Sequence, residues 1–267
     1  MSNVRADLSL PHPGVAQILL DSGPMNFQTW TLMERLEESL VAARDQEARV
    51  VVIGSAVDGY FQAHGHIGNV VATFSGKEVD GDPMAGVRVQ KELDTGPMVS
   101  IAAIDGQAWG GGAELAWSCD LRVASADATL GQPEVMIATS PAGGAARIAH
   151  LAGEATAKRI VLDGRPVGGA EAHRLGLVHR VTPSGGALPE ALEWAKWLAG
   201  RPRGALATAK RAVVGARGLA LRDALRAETA MFVERLSTSE IQVLALEVQT
   251  RYDEGADSYA AFKLPRD

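Results

Sequence analysis

The chain has 267 residues, 46% of them apolar and 22% charged, which is enough to bury a substantial core in one large domain or slightly more. A formal net charge of −6 excludes a broadly basic surface of the kind that binds nucleic acid. The single cysteine, Cys119, excludes an internal disulfide and a multi-cysteine metal site, and no stretch reaches the roughly 18 apolar residues of a membrane span.

Met1 to Pro13 lacks the apolar segment of a signal peptide, so the expected location is the cytoplasm. Gly14 to Leu20 reads as a strand and Asp21 to Pro24 as a turn. Thr29 to Asp45 carries Leu32, Leu36 and Leu40 at four-residue spacing, which predicts an amphipathic helix, with Glu34, Glu37 and Glu38 on its outer face. Arg49 to Gly54 is a β-branched run of buried-strand type that completes a strand-helix-strand unit. Phe61 to Ile67 then places a glycine past a strand and before a helix, a position where a backbone N–H is free for a ligand. His64 and His66 alternate as metal ligands on a strand would, but no nearby Cys, Asp or Glu completes a set, so no metal is expected. Val70 to Pro83 is polar and aperiodic, an exposed connection or a loop over a site. Ala85 to Asp94 forms a helix that Gly96-Pro97 stops.

Ser100 to Ile104 is a short apolar run of the kind found in a strand buried on both faces. Gly110, Gly111 and Gly112 remove every β-carbon from the bend that follows, so a ligand can approach their N–H groups. From Ala113 the pattern turns helical, with Ala113, Ala116 and Trp117 on one stripe and Glu114 in the first turn. Asp120 to Ser125 reads as a strand, Ala126 to Ala128 as a turn and Thr129 to Gly131 as a return strand, running into Gln132-Pro133-Glu134. That return brings Glu134, 20 positions after Glu114, toward it, and two carboxylates in unequal environments supply one acid and one base. Pro141 to Arg147 is a tight turn into a helix ending near Gly153, without the lysine of a phosphate loop. Helices follow at Thr156–Leu162 and Gly168–Leu175, then a strand at Leu177–Val181. The segment Pro183 to Pro189 is the best boundary, and from Glu190 onward the chain is helical. Leu192, Ala195, Leu198 and Ala199 share a face, as do Leu244, Val248 and Tyr252. Trp194 and Trp197 read as packing anchors, and these faces need the first domain or a neighbouring subunit to pack on.

These segments, with Pro24-Met25-Asn26, Arg174 to Val178 and Ala207 to Lys210, resemble the enoyl-CoA hydratase/isomerase family, the crotonase superfamily, over nearly the whole chain. The resemblance implies an α/β fold: a crotonase-like repeated β-β-α spiral with the active site over residues 1–188, and a helical C-terminal region over 189–267 used in trimerisation. It implies acyl-CoA thioester substrates, no cofactor beyond the CoA that the substrate carries, and assembly as a homotrimer or dimer of trimers. By position, the N–H groups of Gly65 and Gly111 form the oxyanion hole, and Glu114 and Glu134 are the catalytic pair. Ala63, His64, His66, Trp109, Pro141 and Ala142 fall in the substrate-binding segments, and Lys210, Phe262 and Lys263 are plausible contacts to the CoA phosphates or adenine. The chain departs from the family at Ala63-His64-Gly65-His66, where Ala-Gly-x-Asp is usual. The implied reaction is hydration of a 2-enoyl-CoA. The alternatives are another reaction of the same enolate site (isomerisation, dehydration, carbon–carbon cleavage or formation) or a non-catalytic acyl-CoA binder.

Overall fold

The computed structural model describes residues 4–266. A first hairpin pairs β1 (Arg5–His12) antiparallel with β2 (Val15–Asp21), and α1 (Trp30–Asp45) returns the chain to β3 (Val50–Ser55). Thr29 starts α1 as its N-cap, accepting from the Leu32 N–H at 3.1 Å. From β3 onward one pattern repeats. Strand β3 is followed by the short β4 (Tyr60–Gln62) and then by α2 (Ile67–Phe74) and α3 (Ala85–Thr95). Strand β5 (Val99–Ile104) is followed by β6 (Gln107–Trp109) and α4 (Gly111–Ser118). Strand β7 (Leu121–Ser125) is followed by β8 (Thr129–Gly131), a 3₁₀ turn at Glu134–Ile137 and α5 (Gly144–Ala152). Then come α6 (Glu154–Asp163), β9 (Val167–Gly168), α7 (Gly169–Arg174), β10 (Arg180–Thr182) and α8 (Ala187–Ala199).

The first strand of each repeat enters a six-stranded sheet of order β1-β2-β3-β5-β7-β10, parallel except for β1. The second enters a four-stranded sheet of order β4-β6-β8-β9, in which β4, β6 and β8 run parallel. This is the β-β-α spiral that the resemblance implies. It corrects one local expectation: Thr129–Gly131 does not fold back on β7 but crosses to the second sheet and pairs parallel with β6.

The central strands β3 and β5 of the large sheet are buried on both faces, as their unbroken apolar runs require. Val51, Ile53, Ala102 and Ile104 face one core with Leu32, Met33 and Leu36 of α1, while Val50, Val52, Ile101 and Ala103 face the other. The second core is closed by α8, whose Ala187, Ala191, Ala195 and Ala199 form a stripe of methyl groups that lets the helix lie close on the strands. Arg49 ties the end of that helix down, its guanidinium donating to Ala199 O at 2.7 Å.

The boundary expected at 188/189 therefore moves. The chain divides after Ala207, within α9 (Arg203–Gly215), because α8 belongs to the first core rather than to the helical tail. The second unit holds α10 (Leu221–Leu236), α11 (Ser239–Asp253) and α12 (Ser258–Phe262), with Tyr252 meeting Phe262 edge to face at 6.3 Å. Leu221, Leu225, Phe232 and Leu244 stay exposed there. The helix expected past Gly65 is α2, and it runs on to Phe74, so the connection expected over Val70 to Pro83 starts later than the sequence reading placed it. Of the two tryptophans, Trp194 packs partly buried against the second core beneath the Arg180 guanidinium, while Trp197 is 39% exposed.

Candidate active site

Four short segments converge at the ends of the second-sheet strands. The first is pinned by Asn26, fully buried and at φ 49°, a left-handed conformation that asparagine tolerates. Its side-chain amide donates to Leu20 O, Ser55 Oγ and Phe61 O, and its Oδ1 accepts from Ser22 N, joining the ends of β2, β3 and β4. Two residues on, Gln28 bridges to the turn after β4: its N–H donates to His64 O and its carbonyl accepts from His66 N, both at 2.9 Å. The peptide that carries the Gly65 N–H is thus held at its own carbonyl.

The second donor lies beside the first. Gly110 has φ 50° and caps α4, and Gly111 opens the helix with its N–H directed out of the first turn. A β-carbon on Gly111 would stand 3.3 Å from Gly65 N and 2.0 Å from Gln28 Oε1, so the two backbones lie close and any side chain here would displace the Gln28 amide. Among the described residues, neither the Gly65 nor the Gly111 N–H donates to another protein group. Two free N–H groups side by side, one at a helix N-terminus, suit an oxygen that gains negative charge.

The two glutamates flank this pair in unlike surroundings. Glu114, 5% exposed in the first turn of α4, accepts through Oε1 from both Gly143 N and Gly144 N, each at 2.9 Å. Glu134 starts the 3₁₀ turn; its Oε1 lies 2.8 Å from where a β-carbon on Gly110 would be, and its buried Oε2 has no partner. Burial raises the Glu134 pKa above the ordinary carboxylate value, its own backbone N–H partly offsets this, and the Glu114 charge adds to the rise. The two carboxylates are thus held differently, one by two backbone donors and the other with a buried oxygen that has no partner.

The remaining expected residues have distinct places. His66 accepts from Asn69 N at 3.1 Å and caps α2, the service an aspartate would give there, which explains how the chain departs from the usual acid without losing the helix start. The His64 Nδ1 bonds Gly65 O at 2.7 Å, and Phe27 packs on both imidazoles, at 5.0 and 5.7 Å between ring centres. Ala63 is fully buried, so its side chain does not reach the pocket surface; it serves through its backbone, bonded to Met25 O and to Gln107 Nε2. Trp109 is half-buried and donates from Nε1 to Thr129 Oγ1 at 3.0 Å. Pro141 and Ala142 lead into the Gly143 turn, with Pro141 half-buried and Ala142 exposed. Lys210, Phe262 and Lys263 belong to the second unit.

Sequence reading missed Gln28, Gln90 and Gln132. Gln90 Oε1 would be 3.8 Å from a β-carbon on Gly143, and Gln132 Nε2 donates to Gly110 O at 3.1 Å. Only Gln132 carried a signal, its place in Gly131-Gln132-Pro133-Glu134.

The family model for enoyl-CoA hydratase/isomerase matches residues 12–261. The chain belongs to the enoyl-CoA hydratase/isomerase family. Among the relatives it resembles, "Enoyl-CoA hydratase domain-containing protein 2, mitochondrial" of Mus musculus is 36% identical over 181 residues, 64% of this chain and 59% of the relative. A "Probable enoyl-CoA hydratase" of Rhizobium meliloti is 40% identical over 141 residues, 52% of this chain and 55% of the relative. The chain thus spans somewhat over half the length of the curated relatives it matches. An enoyl-CoA hydratase crystal structure from Bacillus anthracis superposes with a TM-score of 0.82 at 28% identity, covering 94% of this chain and 96% of that one. Among the described residues, no helix is long and apolar enough to cross a membrane.

Proposed function

We propose that the protein hydrates 2-enoyl-CoA thioesters to 3-hydroxyacyl-CoA, and so acts as a lyase. The observation that carries this reading is the unequal pair: Glu114 held by two backbone donors and Glu134 with an unpartnered buried oxygen and a raised pKa, together with two free N–H groups. The thioester oxygen accepts from Gly65 and Gly111, which draws electrons from C3. Glu114 takes a proton from water as the oxygen adds to C3, an enolate forms, and Glu134 delivers its proton to C2. The N–H groups stabilise the enolate more than the ground-state carbonyl, and losing one such donor costs about 3 kcal/mol. The reaction needs no cofactor besides the CoA of the substrate. His66 is engaged as a helix cap and His64 with Gly65 O, which favours plain hydration over chemistry routed through an imidazole.

The exposed leucines of α10 and α11 support assembly into a homotrimer or a dimer of trimers. Composition and the lone Cys119 support a cytoplasmic setting, although some relatives carry "mitochondrial" in their names.

The test follows loss of the conjugated-thioester absorbance of crotonyl-CoA. Wild type should hydrate it, while Glu114→Gln and Glu134→Gln each lose about 10²- to 10⁴-fold in kcat with the fold intact. A Glu114→Gln/Glu134→Gln double variant with full hydratase activity would overturn the proposal. Tight crotonyl-CoA binding by wild type without turnover would move the protein to another enolate reaction or to a binding role.

A further inference from the structure

We propose that Gln132 is a positioning residue for the oxyanion hole, acting by polarising the peptide that carries the Gly111 N–H. The inference rests on the hydratase reading above and concerns how its second donor is made strong.

A peptide N–H donates more strongly when the carbonyl of the same peptide accepts a hydrogen bond, because the aligned dipoles reinforce each other. For Gly65 that carbonyl is His64 O, which accepts from Gln28 N at 2.9 Å. For Gly111 it is Gly110 O. This oxygen accepts the first intrahelical bond of α4, from Glu114 N at 2.9 Å, and also a second bond from Gln132 Nε2 at 3.1 Å. Both oxyanion donors are therefore backed from behind. At Gly65 the backing comes from the backbone bridge to Gln28; at Gly111 the additional bond needs a side chain.

Packing does not account for an amide here. Gln132 is fully buried, and its Oε1 has no partner, a burden that methionine or leucine of similar bulk would not carry. The amide is also pressed against a second functional turn. A β-carbon on Gly144 would come within 2.4–2.6 Å of its Cδ, Oε1 and Nε2, and the Gly144 N–H is one of the two that hold Glu114. Gly131 O accepts from Gly110 N at 2.9 Å, so the strand end that delivers Gln132 is itself bonded to the oxyanion turn, and Glu134 follows two residues later. One buried amide thus keeps the Gly111 donor in register with both glutamates. A bond of this kind strengthens the N–H most when charge arrives on the ligand oxygen, so its effect belongs in kcat.

The decisive variant is Gln132→Met, which keeps the bulk and removes the donor. Crotonyl-CoA kinetics should show kcat lowered about tenfold with KM within about twofold, a loss in the range of one neutral hydrogen bond. Infrared difference spectra of bound ¹³C-carbonyl butyryl-CoA, a saturated thioester that cannot be hydrated, should show a smaller downshift of the carbonyl stretch than in wild type. Unchanged kcat and unchanged frequency in the folded variant overturn the proposal; so does a lower kcat with an unchanged frequency, which assigns a merely structural role. If Gln132→Met does not fold, wild type labelled with ¹⁵N-glutamine and titrated with acetoacetyl-CoA decides: a downfield shift of the Gln132 side-chain amide proton supports polarisation, and no shift refutes it. A wild type that neither binds nor hydrates crotonyl-CoA removes the hydratase reading and this one together, whereas an active wild type leaves Gln132 judged on its own variant.

Discussion

Gly110→Ala separates backbone strain from active-site crowding. Gly110 has φ 50° and ψ −126°, a conformation essentially reserved for glycine, so an L side chain there costs about 1–3 kcal/mol and the melting temperature should fall by about 2–12 °C. Its new methyl would also stand 2.8 Å from Glu134 Oε1 and 3.4 Å from His64 Cβ. Ordinary contact begins near 3.4 Å, so the carboxylate oxygen must retreat by roughly 0.6 Å. Misplacing a reacting group by about 1 Å can cost roughly 100-fold, so a loss of about ten- to a hundredfold in crotonyl-CoA hydration is expected. Gly185→Ala is the matched control. It also has a positive φ, 74°, with nothing within 4 Å of its would-be β-carbon, so it should lose some heat stability and keep full activity. Equal activities for the two variants would refute the placement of Glu134 against the glycine turn.

Glu134→Gln should be inactive yet more heat-stable than wild type at neutral pH. The raised Glu134 pKa means that its contribution to stability is complete below the ordinary carboxylate range and is lost as pH rises through the folded value, so the melting-temperature gap should widen from pH 4 to 8; a constant gap would refute this. His179 has its pKa lowered to about 4, by burial and then by Arg122 and His173, and its Nδ1 accepts from Arg122 N at 3.1 Å. Its contribution is present above pH 6.5 and lost as pH falls toward 4; because part of the residue faces solvent, the screened effect is ~1 kcal/mol, and His179→Asn should flatten that limb of an acid-stability profile, whereas an unchanged limb would exclude His179 as its source. His66→Ala should lose ~1 kcal/mol of cap energy in denaturant titration and His66→Asp should recover it with activity near wild type; an inactive His66→Asp would give the imidazole a chemical role. Exchange of the C2 protons of butyryl-CoA in deuterated water should survive Glu114→Gln and vanish in Glu134→Gln, and loss in both alike would refute the division of roles.

The parts of this fold that were legible in the sequence are those whose side chains report their own burial. The leucines of α1, the continuous apolar runs of β3 and β5, and the glycine turn with Glu114 all carry a period or a composition that only one environment explains. The strands of the second sheet do not. Gln107–Trp109 and Thr129–Gly131 are three residues each, too short to show a period, and nothing local distinguishes a return on β7 from a crossing to β6. Helix α2 was half legible: a helix was expected past Gly65, and Ile67, Val70, Val71 and Phe74 do fall at helical spacing, but the helix is only eight residues long and runs into the polar, glycine-containing segment that reads as loop. The Gly-Pro segment before Ala187 suggested a domain boundary, but the alanines beyond it are buried against the sheet, and alanine's small side chain gives little hydropathy signal. Gln28 and Gln132 act through bonds to backbone groups 22 or more residues away, information that no local pattern carries.

In the proposed reaction the site holds one negative charge throughout, and the surroundings of its three possible seats rank them. With substrate bound, the charge rests on Glu114, where Gly143 and Gly144 each donate an N–H. As water adds, Glu114 takes its proton and the charge passes to the thioester oxygen, where Gly65 and Gly111 offer N–H groups no protein acceptor has claimed. When Glu134 protonates C2, the charge reaches the poorest seat, a carboxylate with a buried oxygen left unpartnered. Were both glutamates ionised at the start, the enolate would form beside an ionised Glu134 with no proton held for C2, and the raised Glu134 pKa acts against that state. The same poor seat drives the cycle onward. Glu134 recovers a proton and Glu114 gives one up, which restores a carboxylate acceptor to the Gly143 and Gly144 N–H groups.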